Sequence, residues 1–157
     1  MGQPAPQAPA LRHVFTIDSH IGEIGIGAPG PLGQRQHIPL LGGEVSGPAL
    51  QGRIRPGGGD WALVRRDGSS VIDARYTIEA ADGALIYVQS RGLRVSSPEV
   101  LDRMRAGQPV DPSAVYFRAT PSFEAPEGVH GWLNRHLFVA TLERLTRGVR
   151  LQVFQLD

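Results

Sequence analysis

Two Asp-Gly pairs, Asp67-Gly68 and Asp82-Gly83, constrain the fold of this chain more than any other feature. An Asp-Gly pair between β-forming runs is typical of a tight hairpin, because both residues tolerate the positive φ angles that such turns require. In the run between the two pairs, polar and apolar residues alternate, so one face is expected to pack and the other to face water. The sequence therefore predicts three paired antiparallel strands here: Trp61–Arg66, Ser70–Ala80 and Ala84–Arg91.

The remainder of the chain also favours short strands. Its 157 residues include 20 glycines and 13 prolines, a density that is typical of strands joined by tight turns. Further strands are predicted at Leu11–Ile17, Ile21–Ile26, Gly43–Gly47, Leu50–Arg55, Val115–Thr120 and Val149–Leu156. The proline-rich interval Ala28–Leu40 is predicted to be an irregular loop, and Gly131–Leu145 is compatible with either a helix or a strand.

One helix is predicted, over Pro98–Ala106, with Ser97 as its N-cap and Gly107 as its stop. With this helix and the strands above, we expect an all-β protein: a single antiparallel β-barrel of about eight to ten strands. A closed barrel is favoured over a sandwich because closure removes exposed strand edges. Residues 11–157 are expected to form the domain, and residues 1–10 a disordered tail.

Composition argues against several classes of function. A net charge of +1, with acids and bases interspersed, gives no indication of nucleic-acid or membrane binding. Zero cysteines exclude thiolate chemistry, and no leader peptide or membrane span is apparent, so a cytoplasmic protein is expected. The five histidines lack metal-ligand spacing, and no nucleotide-binding or Gly-x-Ser-x-Gly motif is present. We therefore expect neither a metal nor a cofactor.

Several motifs in fixed order resemble one known family. They are Pro-Gly-Gly-Gly-Asp-Trp at 56–61, Asp-Ala-Arg-Tyr at 73–76, Asp-Gly-Ala-Leu-Ile-Tyr at 82–87, Tyr-Phe-Arg at 116–118, Pro-Ser-Phe-Glu at 121–124 and Trp-Leu-Asn at 132–134. Together they resemble the domain-of-unknown-function family DUF3237, also described as UPF0311, over roughly residues 11–156. The resemblance implies a β-barrel with a central pocket and no settled activity. The recurring residues are Asp60, Trp61, Arg75, Tyr76, Tyr116, Phe123, Glu124, Trp132 and Asn134.

Three charged residues are the candidates for catalysis. Asp60 follows the three glycines and suits a general base, although a carboxylate there also caps its own turn in many proteins. Arg75 lies on a predicted strand, where a guanidinium needs water, an ion pair or a ligand. Glu124 suits a proton shuttle if burial raises its pKa, and is otherwise a surface acid.

Six further residues are candidates for ligand binding: Trp61, Tyr87, Tyr116, Arg118, Trp132 and Asn134. The aromatic side chains would form apolar walls of the lumen, with core packing as the alternative for Trp61. Arg118 poses the same question as Arg75. Asn134 suits donation to a developing oxyanion, and its alternative is to satisfy a turn.

The sequence thus predicts a barrel whose lumen binds a small organic molecule. Its few convergent polar groups would come from Asp60, Arg75, Arg118, Glu124 and Asn134. The first hypothesis is a cofactor-free acid–base enzyme, an isomerase, lyase or cyclase that acts next to a carbonyl group. The alternative is a non-catalytic binding or carrier protein with the same pocket. A third reading, an interaction module that uses the Ala28–Leu40 interval, predicts a lumen filled by side chains. A homo-oligomer formed through exposed strands or loops is also expected.

Overall fold

The computed structural model describes residues 2–157, which form ten β-strands and one α-helix. The strands are β1 (Leu11–Ile21), β2 (Gly25–Gly30), β3 (Gly33–Ser46), β4 (Gly52–Ile54), β5 (Gly58–Val64), β6 (Ser70–Ala80), β7 (Leu85–Val95), β8 (Tyr116–Glu124), β9 (Phe138–Arg144) and β10 (Gly148–Leu156). The helix α1 spans Pro98–Arg105, and two short 3₁₀ helices span Pro112–Ala114 and Gly131–Arg135.

The strands close into an antiparallel barrel. Neighbours follow the order β1-β10-β9-β8-β7-β6, and β6 pairs with both β4 and β5. These two short strands lie one after the other against β3, which pairs in turn with β1 and closes the circle. The result is an eight-stranded barrel in which β4 and β5 together occupy one strand position. Strand β2 pairs only with β3 and is not part of the closed circle. The predicted all-β barrel is confirmed.

Both predicted hairpins are present. Gly68 and Gly83 adopt φ angles of +84° and +87°, as tight turns between twisted strands require. In each turn the aspartate accepts a backbone N–H two residues later, that of Ser69 at 2.9 Å and that of Ala84 at 3.1 Å. Strand β6 has the predicted bounds, and its residues alternate between buried and accessible along its whole length. This alternation decides which side chains enter the lumen.

The glycine run lies where β5 begins. Gly57 has a φ of +112° in the join between β4 and β5, whereas Gly58 and Gly59 already belong to β5. A Cβ atom on Gly58 would lie 2.5 Å from the carbonyl oxygen of Arg75 and 2.6 Å from Cβ of Tyr76. Glycine is therefore needed at position 58 because two strands approach each other closely.

One expectation for the connecting segments needs correction. The interval Ala28–Leu40 is not a loop: it contains the end of β2, a tight turn and half of β3. Because β3 pairs with both β2 and β5 there, ladder hydrogen bonds outweigh the local effect of the prolines, one of which, Pro29, lies on the edge strand β2. The segment Gly131–Leu145 combines both predicted states, since a 3₁₀ helix precedes β9.

The predicted helix is confirmed over Pro98–Arg105. The Ser97 hydroxyl accepts the backbone N–H of Val100 at 3.3 Å, and Gly107 follows the helix with a φ of +69°. Leu101 and Met104 of α1 border a cavity at one end of the barrel. We call this end of the barrel the mouth. No helix within residues 2–157 is long and apolar enough to cross a membrane.

The other end of the barrel is closed by apolar packing. Phe123 packs edge-to-face against Phe15 and Phe138, with ring centroids 5.6 and 5.1 Å apart. Leu133, from the 3₁₀ helix Gly131–Arg135, is fully buried in the same core. Because one end of the barrel is filled by this core, polar side chains in the lumen are found towards the mouth.

Candidate functional site

The half of the lumen nearest the mouth contains a cavity of about 80 Å³. One water molecule needs roughly 10–15 Å³ measured in this way, so the cavity accommodates several waters or a small organic group. Its apolar walls include Ile38, Ile72 and Phe117. Towards α1 it continues into a wider cavity of about 760 Å³, and Gln36, Arg94 and Arg144 border both spaces.

The register of three neighbouring strands places Asp60 and Ser90 at one level of the lumen. Asp60 pairs with Ala74 across β5 and β6, and Ala74 pairs with Ser90 across β6 and β7. All three side chains line the cavity. Tyr76, the next inward residue of β6, lies one level deeper. Strand pairing therefore brings a carboxylate and two hydroxyl groups together.

The Asp60 carboxylate occupies a gap in the β5–β6 ladder. The register skips Trp61 and Ala62, and Oδ1 of Asp60 accepts the backbone N–H of Asp73 at 3.0 Å. The carbonyl of Trp61 instead accepts a hydrogen bond from the guanidinium of Arg35, at 3.0 Å. Burial raises the pKa of the Asp60 carboxyl, and the hydrogen bond from Asp73 partly opposes this shift. The carboxyl group is therefore a stronger base than one in water.

Two hydroxyl groups in the cavity have no partner among residues 2–157. They are Oη of Tyr76 and Oγ of Ser90, in side chains that are 6% and 1% exposed. Burial raises the pKa of the Tyr76 phenol, so this group keeps its proton as a donor. Buried polar groups are nearly always hydrogen-bonded, and unpaired ones call for an explanation. Both residues line the same cavity as the Asp60 carboxylate.

Two arginines stand between the lumen and the mouth. Nη2 of Arg94 donates to the hydroxyl of Ser70 at 3.2 Å, across a directly paired position of β6 and β7. Burial lowers the pKa of Arg94, and the charge of Arg144 acts in the same direction. Arg144, at the end of β9, is more exposed to solvent, yet burial still lowers the pKa of its guanidinium.

Arg75 lies outside the lumen, so its predicted place in a lumenal site needs correction, and the alternatives that the sequence left open, water and an ion pair, describe it instead. The side chain is 52% exposed and lies 3.8 Å from Oδ1 of Asp73, which is also on the outer face of β6. The reason is strand parity: Tyr76 and Ala74 face inward, so the residue between them faces outward. Glu124 ends β8 on the outer face as well, paired in register with Tyr87.

Three of the predicted residues meet in an outer groove of about 430 Å³. Trp61, Arg75 and Tyr87 all border it, and Trp61 is 45% exposed, so it is neither core nor lumen. Tyr116 and Arg118 share another part of the outer surface, with the guanidinium carbon 5.6 Å from the ring centroid. The aromatic walls expected inside the barrel are thus largely on its outside.

The last two predicted residues belong to the closed end. Trp132 packs against Phe138, with ring centroids 5.8 Å apart, and so it lies at the opposite end from the polar cavity. Asn134 accepts the backbone N–H of Ala125 at 2.8 Å and donates to its carbonyl at 2.9 Å. These bonds satisfy a turn, which is the alternative that the sequence left open.

Of the nine predicted site residues, only Asp60 reaches the cavity; sequence reasoning missed Ser90, Arg94 and Arg144 there. Alternation within β7 contained a signal for Ser90, because Ile86 and Val88 share its inward face. Arg94 lies beyond the predicted end of that strand, and Arg144 lies in the segment compatible with two states. Within residues 2–157 no three His, Asp or Glu side chains are grouped as metal ligands.

Comparisons with known proteins identify relatives along nearly the whole chain. The family model described as "Protein of unknown function (DUF3237)" matches residues 9–156. A UPF0311 protein of Bradyrhizobium diazoefficiens is 38% identical over 144 residues, which cover 92% of this chain and 94% of the relative. The crystal structure of a conserved protein of unknown function from Rhodopseudomonas palustris has a TM-score of 0.91 at 35% identity, covering 98% of this chain and 100% of that one.

A fungal enzyme has the same fold at lower sequence identity. The crystal structure of an enzyme from Penicillium herquei has a TM-score of 0.75 at 22% identity, and the match covers 99% of each chain. At this level of identity the similarity concerns the fold alone.

Proposed function

The chain belongs to the DUF3237 family, as its motifs indicate, and we propose that its barrel is an acid–base enzyme acting next to a carbonyl group of a small organic molecule. The reaction class is that of a cofactor-free isomerase, lyase or cyclase. The observation that carries this proposal is the meeting of a desolvated carboxylate, Asp60, with two unpartnered buried hydroxyl groups, those of Tyr76 and Ser90. The protein from Penicillium herquei that has this fold is described as an enzyme, so catalysis in such a barrel has a precedent.

Asp60 would act as the general base. Its carboxylate loses water on entering the lumen, and the resulting rise in pKa brings its basicity closer to that needed for proton abstraction near neutral pH. The hydrogen bond from the N–H of Asp73 fixes the orientation of Oδ1 and leaves Oδ2 for a substrate proton. A general base needs this combination of fixed geometry and shifted pKa.

Tyr76 and Ser90 would stabilise the negative charge that forms on the substrate oxygen. Neither hydroxyl donates to a group in residues 2–157, so both donors are free to bind a carbonyl oxygen. Donors that are already positioned in a water-poor site contribute most where charge develops in the transition state. The apolar residues Ile38 and Ile72 keep that part of the cavity poor in water.

The first step would be common to the three reaction types. Asp60 takes a proton from the carbon beside the carbonyl, and the C–H electron pair forms a carbon–carbon double bond. The carbonyl π electrons move to oxygen, where Tyr76 and Ser90 donate hydrogen bonds to the enolate. In an isomerase protonated Asp60 returns the proton to another carbon; in a lyase a β-substituent leaves with its electron pair; in a cyclase the enolate attacks a second electrophilic carbon in the same molecule.

The proposal is tested by hydrogen exchange, which requires no knowledge of the natural substrate. The protein is incubated in D₂O with a panel of small ketones and β-dicarbonyl compounds, and loss of the α-proton signal is followed by NMR. We expect exchange above the buffer rate for at least one compound, and a loss of about a hundredfold or more in Asp60→Asn. Glu44→Gln, which alters an exposed acid on the outer face of β3, is the matched control.

Each outcome bears on the proposal. Retained exchange in Asp60→Asn would remove Asp60 from the base role, and equal loss in Glu44→Gln would indicate a general effect on the fold. Compounds that bind without exchange in the native protein would favour the non-catalytic binding protein instead.

A further inference from the structure

The mouth of the barrel carries two guanidinium groups that lack a carboxylate partner. Arg94 donates only to the neutral hydroxyl of Ser70. Arg144, which is exposed at the end of β9 and borders both cavities, makes no hydrogen bond or ion pair with residues 2–157. For Arg94, partial loss of hydration without an acid as partner is unfavourable. An anion at the mouth would provide the missing partner.

The local charges around these groups are predominantly positive. The charges that act on Arg94 come from Arg144, Arg105 of α1 and a single acid, Asp60. Arg105 borders the wider cavity and has only a weak partner, Asp102, at 3.9 Å. Glu143 also borders that cavity, but its charge acts on Arg150 on the outside of the barrel. The border of the wider cavity therefore has three guanidinium groups and one acid, Glu143, while Asp60 lies deeper in the lumen.

We propose that the substrate carries a carboxylate, which Arg94 and Arg144 bind at the mouth while the reacting carbon lies deeper, at Asp60. This inference rests on the proposed function, because it assigns the two ends of one substrate to the same lumen. It adds a substrate class, organic acids with a carbonyl group, and it makes Arg94 and Arg144 determinants of specificity.

The shape and chemistry of the two cavities fit such a molecule. The inner space of about 80 Å³ accepts only a small reacting group, and the outer space of about 760 Å³ accepts the remainder. Leu142 and Phe117 border both spaces and offer apolar contact to the middle of the ligand. A guanidinium binds a carboxylate through two parallel N–H donors, which fixes the distance from the mouth to the reacting carbon.

The test compares organic acids with neutral molecules of the same shape. Binding of levulinate and levulinamide, and of phenylpyruvate and its amide, is measured by ligand-detected NMR, with inorganic phosphate as a control anion. We expect the acid of at least one pair to bind about tenfold more tightly than the amide. This preference should disappear in Arg94→Gln and in Arg144→Gln. The matched control is Arg91→Gln, because Arg91 lies on the outer face of the same strand as Arg94.

Equal binding of acid and amide, binding of neither, or a preference that survives both substitutions overturns the proposal. Competition by phosphate as strong as by the acids also overturns it, because a site for any anion is not a substrate site. If Arg94→Gln does not fold, Arg144→Gln decides alone, since Arg144 is exposed at the end of β9 and we expect its substitution to leave the fold intact.

The inference and the proposed function fail separately. Asp60→Asn should abolish proton exchange and keep the preference for the acid, because it removes the base and leaves both arginines. A preference for acids without any exchange would sink the enzyme and leave the carboxylate site standing. Exchange with neutral ketones, without any preference for acids, would support the enzyme and overturn the carboxylate site.

Discussion

The Asp60 carboxylate accepts the backbone N–H of Asp73 at 3.0 Å, inside the barrel and in place of a ladder hydrogen bond. Burial raises the pKa of Asp60 despite this bond. The raised pKa means that ionised Asp60 disfavours the folded state relative to its protonated form. This coupling between charge and folding has a measurable pH dependence.

We expect the native protein to be destabilised relative to Asp60→Asn as pH rises. A group with a raised folded-state pKa contributes its full stability below the unfolded pKa and loses it as pH rises through the folded pKa. The difference in free energy of unfolding should therefore grow from the ordinary aspartate range upwards and then level off. Urea denaturation at pH values from 3 to 8 (about one unit apart) measures it. A constant difference would contradict burial of the charge.

Tyr76→Phe and Ser90→Ala should separate activity from stability. Each removes a hydroxyl that has no hydrogen-bond partner in residues 2–157, so the free energy of unfolding should change by less than about 1 kcal/mol. Loss of an oxyanion donor slows catalysis by about a hundredfold or more, and proton exchange should slow accordingly. The two quantities come from NMR exchange and urea denaturation of the same samples. A large loss of stability with unchanged exchange would indicate a structural role.

The sequence predicted the architecture because hairpin turns and alternation are local signals. Asp67-Gly68 and Asp82-Gly83 each specify a turn within a few residues, and the alternation in Ser70–Ala80 predicts its two faces. The β2–β3 hairpin was missed because its strands depend on neighbours distant in sequence: β3 pairs with β1, β4 and β5 as well as β2. Turn-forming prolines are visible in a sequence, and those pairings are not.

Site residues were harder to predict because the inner face of a barrel is decided by register. Arg75 and Tyr76 are adjacent and belong to the same motif, yet one faces solvent and the other the lumen. Residues that recur in a family motif therefore divide between the two faces. Arg94 and Arg144 meet at the mouth from strands 50 positions apart, given their numbers in the sequence. Neither lies in a motif, so only the closed barrel brings them together.

Gly58→Ala should destabilise the barrel and disturb the site together. The added Cβ would meet the Arg75 carbonyl at 2.5 Å and Tyr76 Cβ at 2.6 Å, so β5 and β6 must separate. We expect a loss of about 2 kcal/mol or more in the free energy of unfolding, together with slower proton exchange. Gly25→Ala is the control, because the nearest atom to its added Cβ is 3.8 Å away. Equal effects of the two substitutions would argue against close strand approach at position 58.

The Asp82 carboxylate should couple the β6–β7 turn to the apolar end of the barrel. Oδ1 accepts the N–H of Ala84 at 3.1 Å, and Oδ2 lies 2.8 Å from Nε2 of His130, the residue that precedes the 3₁₀ helix Gly131–Arg135. The bond from Ala84 and the contact with His130 both lower the pKa of Asp82, so its contribution to stability is present above the unfolded pKa and is lost as pH falls.

This coupling is measurable by a double-mutant cycle of Asp82→Asn and His130→Gln at neutral pH. We expect the two changes to be non-additive in free energy of unfolding, since each removes the same contact between the turn and the segment that contains Leu133. Asp67→Asn combined with His130→Gln is the control cycle. Asp67 accepts hydrogen bonds from the N–H and hydroxyl of Ser69 in the equivalent turn, at the opposite end of β6. Additivity in the first cycle would mean that the turn and the closed end are stabilised independently.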